Sequence, residues 1–97
     1  MPKITYKPLA RLDLENIWHY TFEKWSVEQA EFYVSEIYKE LENVCIHPSI
    51  AKLVTFNGIE YLKCGINHHY AFCRLEHDQF VVVRILHEGM DFQRHLS

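Results

Sequence analysis

The C-terminal stretch FVVVRILHEGMDFQRHLS, residues 80 to 97, runs a strongly apolar segment into a tail holding His87, Glu88, Asp91, Arg94 and His95, with Arg84 set inside the apolar run. With the cysteines elsewhere in the chain, side chains of these types raise three chemistries. Imidazoles and carboxylates can ligate a metal. Here, however, His87 and His95 stand eight apart with Glu88 and Asp91 between them, and no His-Glu-x-x-His spacing puts two imidazoles on one helical face. Adjacent His68 and His69 point to opposite sides of an extended chain, so neither a metal nor another cofactor is expected. Histidines can also serve as base and acid for RNA cleavage by the substrate's own 2′-hydroxyl, with an arginine stabilising the phosphorane. His87, His95 and either Arg84 or Arg74 could fill those roles. A cysteine nucleophile needs a nearby base and a depressed pKa. Cys45 falls on a helical apolar stripe, and Cys73, which shares a strand face with Arg84, has no visible base.

A structural role competes with all three. Gly89 permits a sharp turn, Asp91 can cap a last helical turn, and Met90, Phe92 and Leu96 can return to the core, leaving Arg94 and His95 at the rim. Arg84 at mid-strand is then either a paired structural charge or part of a recognition surface, and the sequence alone does not decide between them.

Composition narrows the function classes. Ninety-seven residues suit one domain, 1–97, and 48% hydrophobic with 24% charged residues is ordinary for a globular protein. The net charge is −3, and residues 1 to 50 carry five Lys or Arg against eight Asp or Glu. This balance disfavours direct nucleic-acid binding through phosphates. The three cysteines are widely spaced without a Cys-x-x-Cys pair, which points to reduced buried thiols. No export signal or membrane-length apolar run is visible, so a cytoplasmic location without membrane association is expected.

The elements that must position these residues follow from periodicity. KITY reads as a short strand. Pro8 opens a helix whose apolar positions are Ala10, Leu14, Ile17, Trp18, Phe22 and Trp25, with Arg11, Asp13, Glu15, Asn16 and Glu23 facing water. Ser26 and Gln29 form a capping box for a second helix with the stripe Ala30, Tyr33, Val34, Ile37, Tyr38, Leu41, Val44 and Cys45, which ends before Pro48. So short a joint predicts an αα-hairpin. Strands LVTF and IEYLKC flank Asn57-Gly58, a two-residue hairpin signal, and HYAFCRL and FVVVRILH flank EHDQ. The fold class is therefore α+β: an N-terminal strand, a helical hairpin, then a three- to four-stranded antiparallel meander with the helices on one face.

Pairing across EHDQ puts Tyr70, Phe72, Val81, Val83 and Ile85 on one face. Ala71, Cys73, Leu75, Phe80, Val82, Arg84 and Leu86 fall on the other. If the helices cover the first set, the second is left for a partner, a like subunit or the chain's own tail.

RILHEGMDFQRHL resembles the C-terminal signature of the ParE toxins of bacterial toxin-antitoxin systems, within the RelE/ParE superfamily. The resemblance spans nearly the whole chain: Ala10, Asp13, Leu14 and Ile17; Trp25, Gln29, Ala30 and Tyr33; Tyr61, His69, Phe72 and Arg74; then Arg84 to His87, Met90, Asp91 and Arg94 to Leu96. Cys73 departs from it where relatives often carry a tyrosine, as does Glu88-Gly89 where they often carry a basic residue. It implies a non-enzymatic toxin that acts on DNA gyrase and is neutralised by a cognate antitoxin, as homodimer or hetero-oligomer. A RelE-like ribosome-dependent mRNA endonuclease, or a degenerate member that only binds its antitoxin, are the alternatives. Target contacts are then expected at Arg74, Arg84, His87, Met90, Asp91, Arg94 and His95, and antitoxin contacts at Ala71, Cys73, Leu75, Phe80, Val82 and Leu86.

Overall fold

A computed structural model describes residues 3–96. The chain opens with β1, Lys3–Tyr6, and passes at once into α1, Pro8–Lys24, where Pro8 takes a first-turn position that needs no hydrogen-bonded N–H. Ala10, Leu14, Ile17 and Thr21 form the buried stripe of α1. The expected stripe through Trp18, Phe22 and Trp25 lies one residue further round. Trp18 and Phe22 stack on each other at 5.3 Å, and Trp25 is 75% exposed. Thr21 is tolerated in the core because its hydroxyl donates to the Ile17 carbonyl at 2.7 Å.

Helix α2, Val27–Ile46, starts at the expected cap, where the Ser26 hydroxyl accepts the Gln29 N–H at 3.1 Å. Its buried residues are Ala30, Ile37, Leu41, Val44 and Cys45, and it stops at His47 before Pro48. A short 3-10 turn, Pro48–Ile50, leads into the sheet.

Strands β2, Lys52–Phe56, β3, Ile59–Ile66, β4, His69–Glu76, and β5, Gln79–His87, form an antiparallel meander. β1 joins it parallel to β5, which gives a mixed five-stranded sheet in the order β1-β5-β4-β3-β2. Asn57 and Gly58 take φ of 51° and 75°, the left-handed backbone of a tight hairpin turn. Asn67 and His77 also have positive φ, so the other two hairpins turn just as tightly, and EHDQ contracts to His77-Asp78.

Register corrects the expected faces. Leu75 pairs with Phe80 and Cys73 with Val82, but a bulge at Phe72/Cys73 then pairs Phe72 with Arg84, Ala71 with Ile85 and Tyr70 with Leu86. An extra residue on one strand reverses the side-chain parity beyond it. Ile85 therefore joins the face of Ala71 and Cys73, while Arg84 and Leu86 leave it.

The helices also cover the face that was expected to be bare. Ala71, Cys73, Phe80 and Val82 are fully buried against Leu14, Ile37, Leu41 and Val44 in the main core. Leu86 is buried on the opposite side with Tyr61 and Phe72. Of the six expected antitoxin contacts only Leu75, at 52% exposure, lies on the surface.

The opposite face is sealed by the molecule's own tail. α3, Phe92–Leu96, lays Phe92 and Leu96 over Phe72, Tyr61 and Leu86. The Phe92 ring lies 4.8 Å from that of Phe72 and 5.4 Å from that of Tyr70. The Lys63 ammonium sits 4.2 Å from the Tyr70 ring centroid and 4.8 Å from that of Phe92, a cation held on two aromatic faces. Met90, expected in this seal, lies instead half-exposed beside His87 and outside the aromatic cluster.

Candidate functional site

Strand β1 ends opposite Val82, so β5 runs on from residue 83 without an outer neighbour. Such an edge leaves backbone donors unpaired unless a side chain takes them. Asp13 on α1 does so, its Oδ2 accepting the Ile85 N–H at 2.9 Å. The same carboxylate takes Arg84 in a two-pronged pair, Nε to Oδ2 at 2.8 Å and a terminal nitrogen to Oδ1 at 2.9 Å. The remaining Arg84 nitrogen reaches the His95 carbonyl at 3.3 Å. Both side chains are largely buried, and the bond to Asp13 holds the guanidinium pKa above its ordinary value. Arg84 is thus a paired charge, and Asp13, expected to face water, is its partner.

Beside this clamp opens a groove of about 670 Å³ between the C-terminal half of α1, the start of α2 and the ends of β4 and β5. Ile17, Tyr20, Trp25, Ile85 and Met90 supply apolar and aromatic walls, and Asn16 and Gln29 add amides. The exposed Tyr20 and Trp25 are large rings in solvent, as at surfaces that bind partners.

The floor of the groove is a histidine–tyrosine network. The Tyr33 hydroxyl and His69 Nδ1 share a hydrogen bond of 2.9 Å, and the His69 ring meets that of His87 edge-on at 5.4 Å. Burial, reinforced by His87 and His68, lowers the His69 pKa to about 4, so this imidazole is neutral at pH 7. Burial likewise raises the Tyr33 pKa against the opposing pull of a backbone hydrogen bond from His68. His87 Nδ1 accepts the Gly89 N–H at 3.2 Å, which fixes its ring, and His68 faces Glu88 at 3.3 Å.

Of the expected target residues, the structure brings His87 and Met90 together in the groove. Asp91 caps the tail by accepting the Gln93 N–H at 3.2 Å, Arg94 and His95 lie on α3, and Arg84 sits beneath them in the clamp. Arg74 stands apart. It pairs with Val81, six residues up β5 from His87, roughly 20 Å away along the strand. There it approaches Glu76 at 3.8 Å and lines a second, shallower groove with Leu53, Ile59, Leu62 and Leu75.

Tyr20, Asn16 and the paired state of Asp13 escaped the sequence reading. The sequence carried no signal for them, since all three lie off the apolar stripe of α1. Among the described residues no group of three or more His, Cys, Asp or Glu is placed to hold a metal ion, and no helix is long and apolar enough to cross a membrane. The three cysteines are buried thiols. Desolvation pushes Cys64 up to about 11 and raises Cys45 and Cys73 as well, the opposite of what a nucleophile needs.

Comparison with known proteins agrees with this architecture. The family model for the ParE toxin of the type II toxin-antitoxin system parDE matches residues 4–92. A protein named Toxin ParE1 from Mycobacterium tuberculosis is 33% identical over 90 residues, 92% of each chain. Another of that name from Caulobacter vibrioides is 31% identical over 88 residues, 91% of each. A solved chain from the chromosomal ParDE system of P. aeruginosa superposes with a TM-score of 0.78 over 90% of this chain and 96% of its own, at 15% identity, and so shares the fold. From the match along residues 4–92 and these full-length relatives, the chain belongs to the ParE toxin family of type II toxin-antitoxin systems.

Proposed function

We propose that this protein arrests growth by inhibiting DNA gyrase in the cytoplasm, and that an antitoxin encoded beside it neutralises it by direct contact. The observation that carries the reading is membership of the ParE family along residues 4–92, joined to an open aromatic groove that no other part of the described chain fills. His87 and Met90 in that groove, with Asp91, Arg94 and His95 on the adjoining tail, form the target surface, and Arg84 supports it from below. Arg74 and Leu75 belong to the other surface. There the free edge of β2 and the exposed Leu53, Ile59 and Leu75 offer strand addition and an apolar seat for the antitoxin. Ala71, Cys73, Phe80, Val82 and Leu86 contribute only by packing the sheet beneath.

Binding rather than catalysis is supported by the state of the polar groups. Each nitrogen of Arg84 is already bonded, so its charge is not free to stabilise a phosphorane. His69, neutral at pH 7 and bonded to Tyr33, lacks the acidic imidazolium proton that a general acid gives to a leaving oxygen.

Supercoiling by purified gyrase tests this beside primer extension on translated mRNA. Inhibited supercoiling, restored by the co-encoded antitoxin and with mRNA intact, is the expected result. New mRNA ends would replace the reading with a RelE-like nuclease. Tight antitoxin binding without either effect would leave a member that only binds.

A further inference from the structure

Resting on the reading of the tail as target surface, we infer that Asp13 is a positioning residue that sets the C-terminal helix through Arg84. The geometry is a relay with three stations. Asp13, anchored on α1, takes the Ile85 N–H and both prongs of Arg84, and Arg84 in turn donates to the carbonyl of His95 inside α3. A helix of five residues is far too short to hold itself, so its place is dictated by what it touches. On its apolar side Phe92 and Leu96 rest on the aromatic cluster. On its polar side Arg84 is a fastening, and Asp13 decides where Arg84 points.

Asp13 also lines the groove, so one carboxylate belongs to the groove wall directly and reaches the tail through Arg84. The groove wall and the tail lie on different elements, α1 with the end of β5 on one side and α3 on the other. The clamp is what gives them a fixed mutual orientation. Pre-organised contact surfaces bind better because less ordering remains to be done on association. Asp13 and Arg84 therefore act on target engagement through the tail that they position.

The test uses the full chain in four forms: native, Asp13→Asn, Arg84→Gln, and Glu15→Gln as an exposed control on the same helix. Backbone order parameters of residues 92 to 96 are expected to fall from about 0.85 toward 0.6 in both Asp13→Asn and Arg84→Gln. Those of α2 should stay at the control value. Growth arrest on induction should weaken at least tenfold in inducer required for the same two variants, and not for Glu15→Gln. If Arg84→Gln loosens α3 while Asp13→Asn does not, Arg84 holds the tail unaided and the relay is wrong. Loosening of α2 and α3 alike would reveal a general stability role and equally overturn it. A loosened tail with undiminished arrest would refute the functional link. A native protein that arrests nothing would instead sink the proposed function, while the order parameters still decide the relay.

Discussion

Replacing Phe72 with alanine should cost about as much as any single truncation in this protein. The ring is fully buried on the sheet face away from the helices, 6.0 Å from Phe56, 6.4 Å from Tyr61 and 4.8 Å from Phe92. Truncating a buried phenylalanine typically costs about 3–5 kcal/mol through lost transfer energy and an unfilled cavity. A loss of about 4 kcal/mol is expected here, because strands hold three walls of the site and only the short α3 can collapse into it. For a chain of 97 residues, an unfolding entropy near 2.1 cal/mol/K per residue makes this a fall of about 20 °C in Tm. Thermal melts followed by circular dichroism, beside Leu75→Ser, check it. Leu75 is half-exposed and should change stability by less than about 0.5 kcal/mol. A loss below about 1.5 kcal/mol at Phe72 would mean that the tail does not seal this face.

The His69 imidazole should titrate near pH 4 by NMR. Because its folded pKa lies below the unfolded value of about 6.5, it contributes stability that is complete above pH 6.5 and is lost as pH falls toward 4. His69→Gln should flatten that part of the pH–stability curve, and a midpoint near 6.5 would contradict the burial argument. The thiols Cys45, Cys64 and Cys73 should resist DTNB in the native protein at pH 8 and react together in denaturant. Prompt labelling of native Cys73 would show that the main core is open. Leu53→Glu should weaken antitoxin binding at least tenfold by calorimetry with no change in Tm, and unaltered affinity would remove the β2 edge from the proposed interface.

Local signals in the sequence were legible where one residue type has one use. Ser26 with Gln29 starts a helix, Asn57-Gly58 closes a hairpin, and Pro48 ends α2, and each does so here. The αα-hairpin, the N-terminal strand and the meander followed. The faces of β5 did not follow, because Val81, Val82 and Val83 are apolar on both sides and carry no alternation to mark a bulge. Register was then decided by pairing with β4. The partner of Arg84 was hidden for a similar reason: Asp13 lies 71 residues away and looks like any helical surface acid until the missing neighbour of β5 is known. His87 and Met90, singled out through family resemblance, line the groove, whereas its walls Tyr20 and Asn16 needed the hairpin's orientation on the sheet.

Two separate surfaces, an aromatic groove with its tail and the free edge of β2, are the core of the account. Hydrogen exchange of the full chain, alone, with gyrase and with its co-encoded antitoxin, compares them directly. Protection by gyrase at residues 16–33 and 87–96, and by the antitoxin at 50–62 and 74–76, is the predicted pattern. Protection of one common segment by both partners, or no protection by gyrase at any residue, would contradict it.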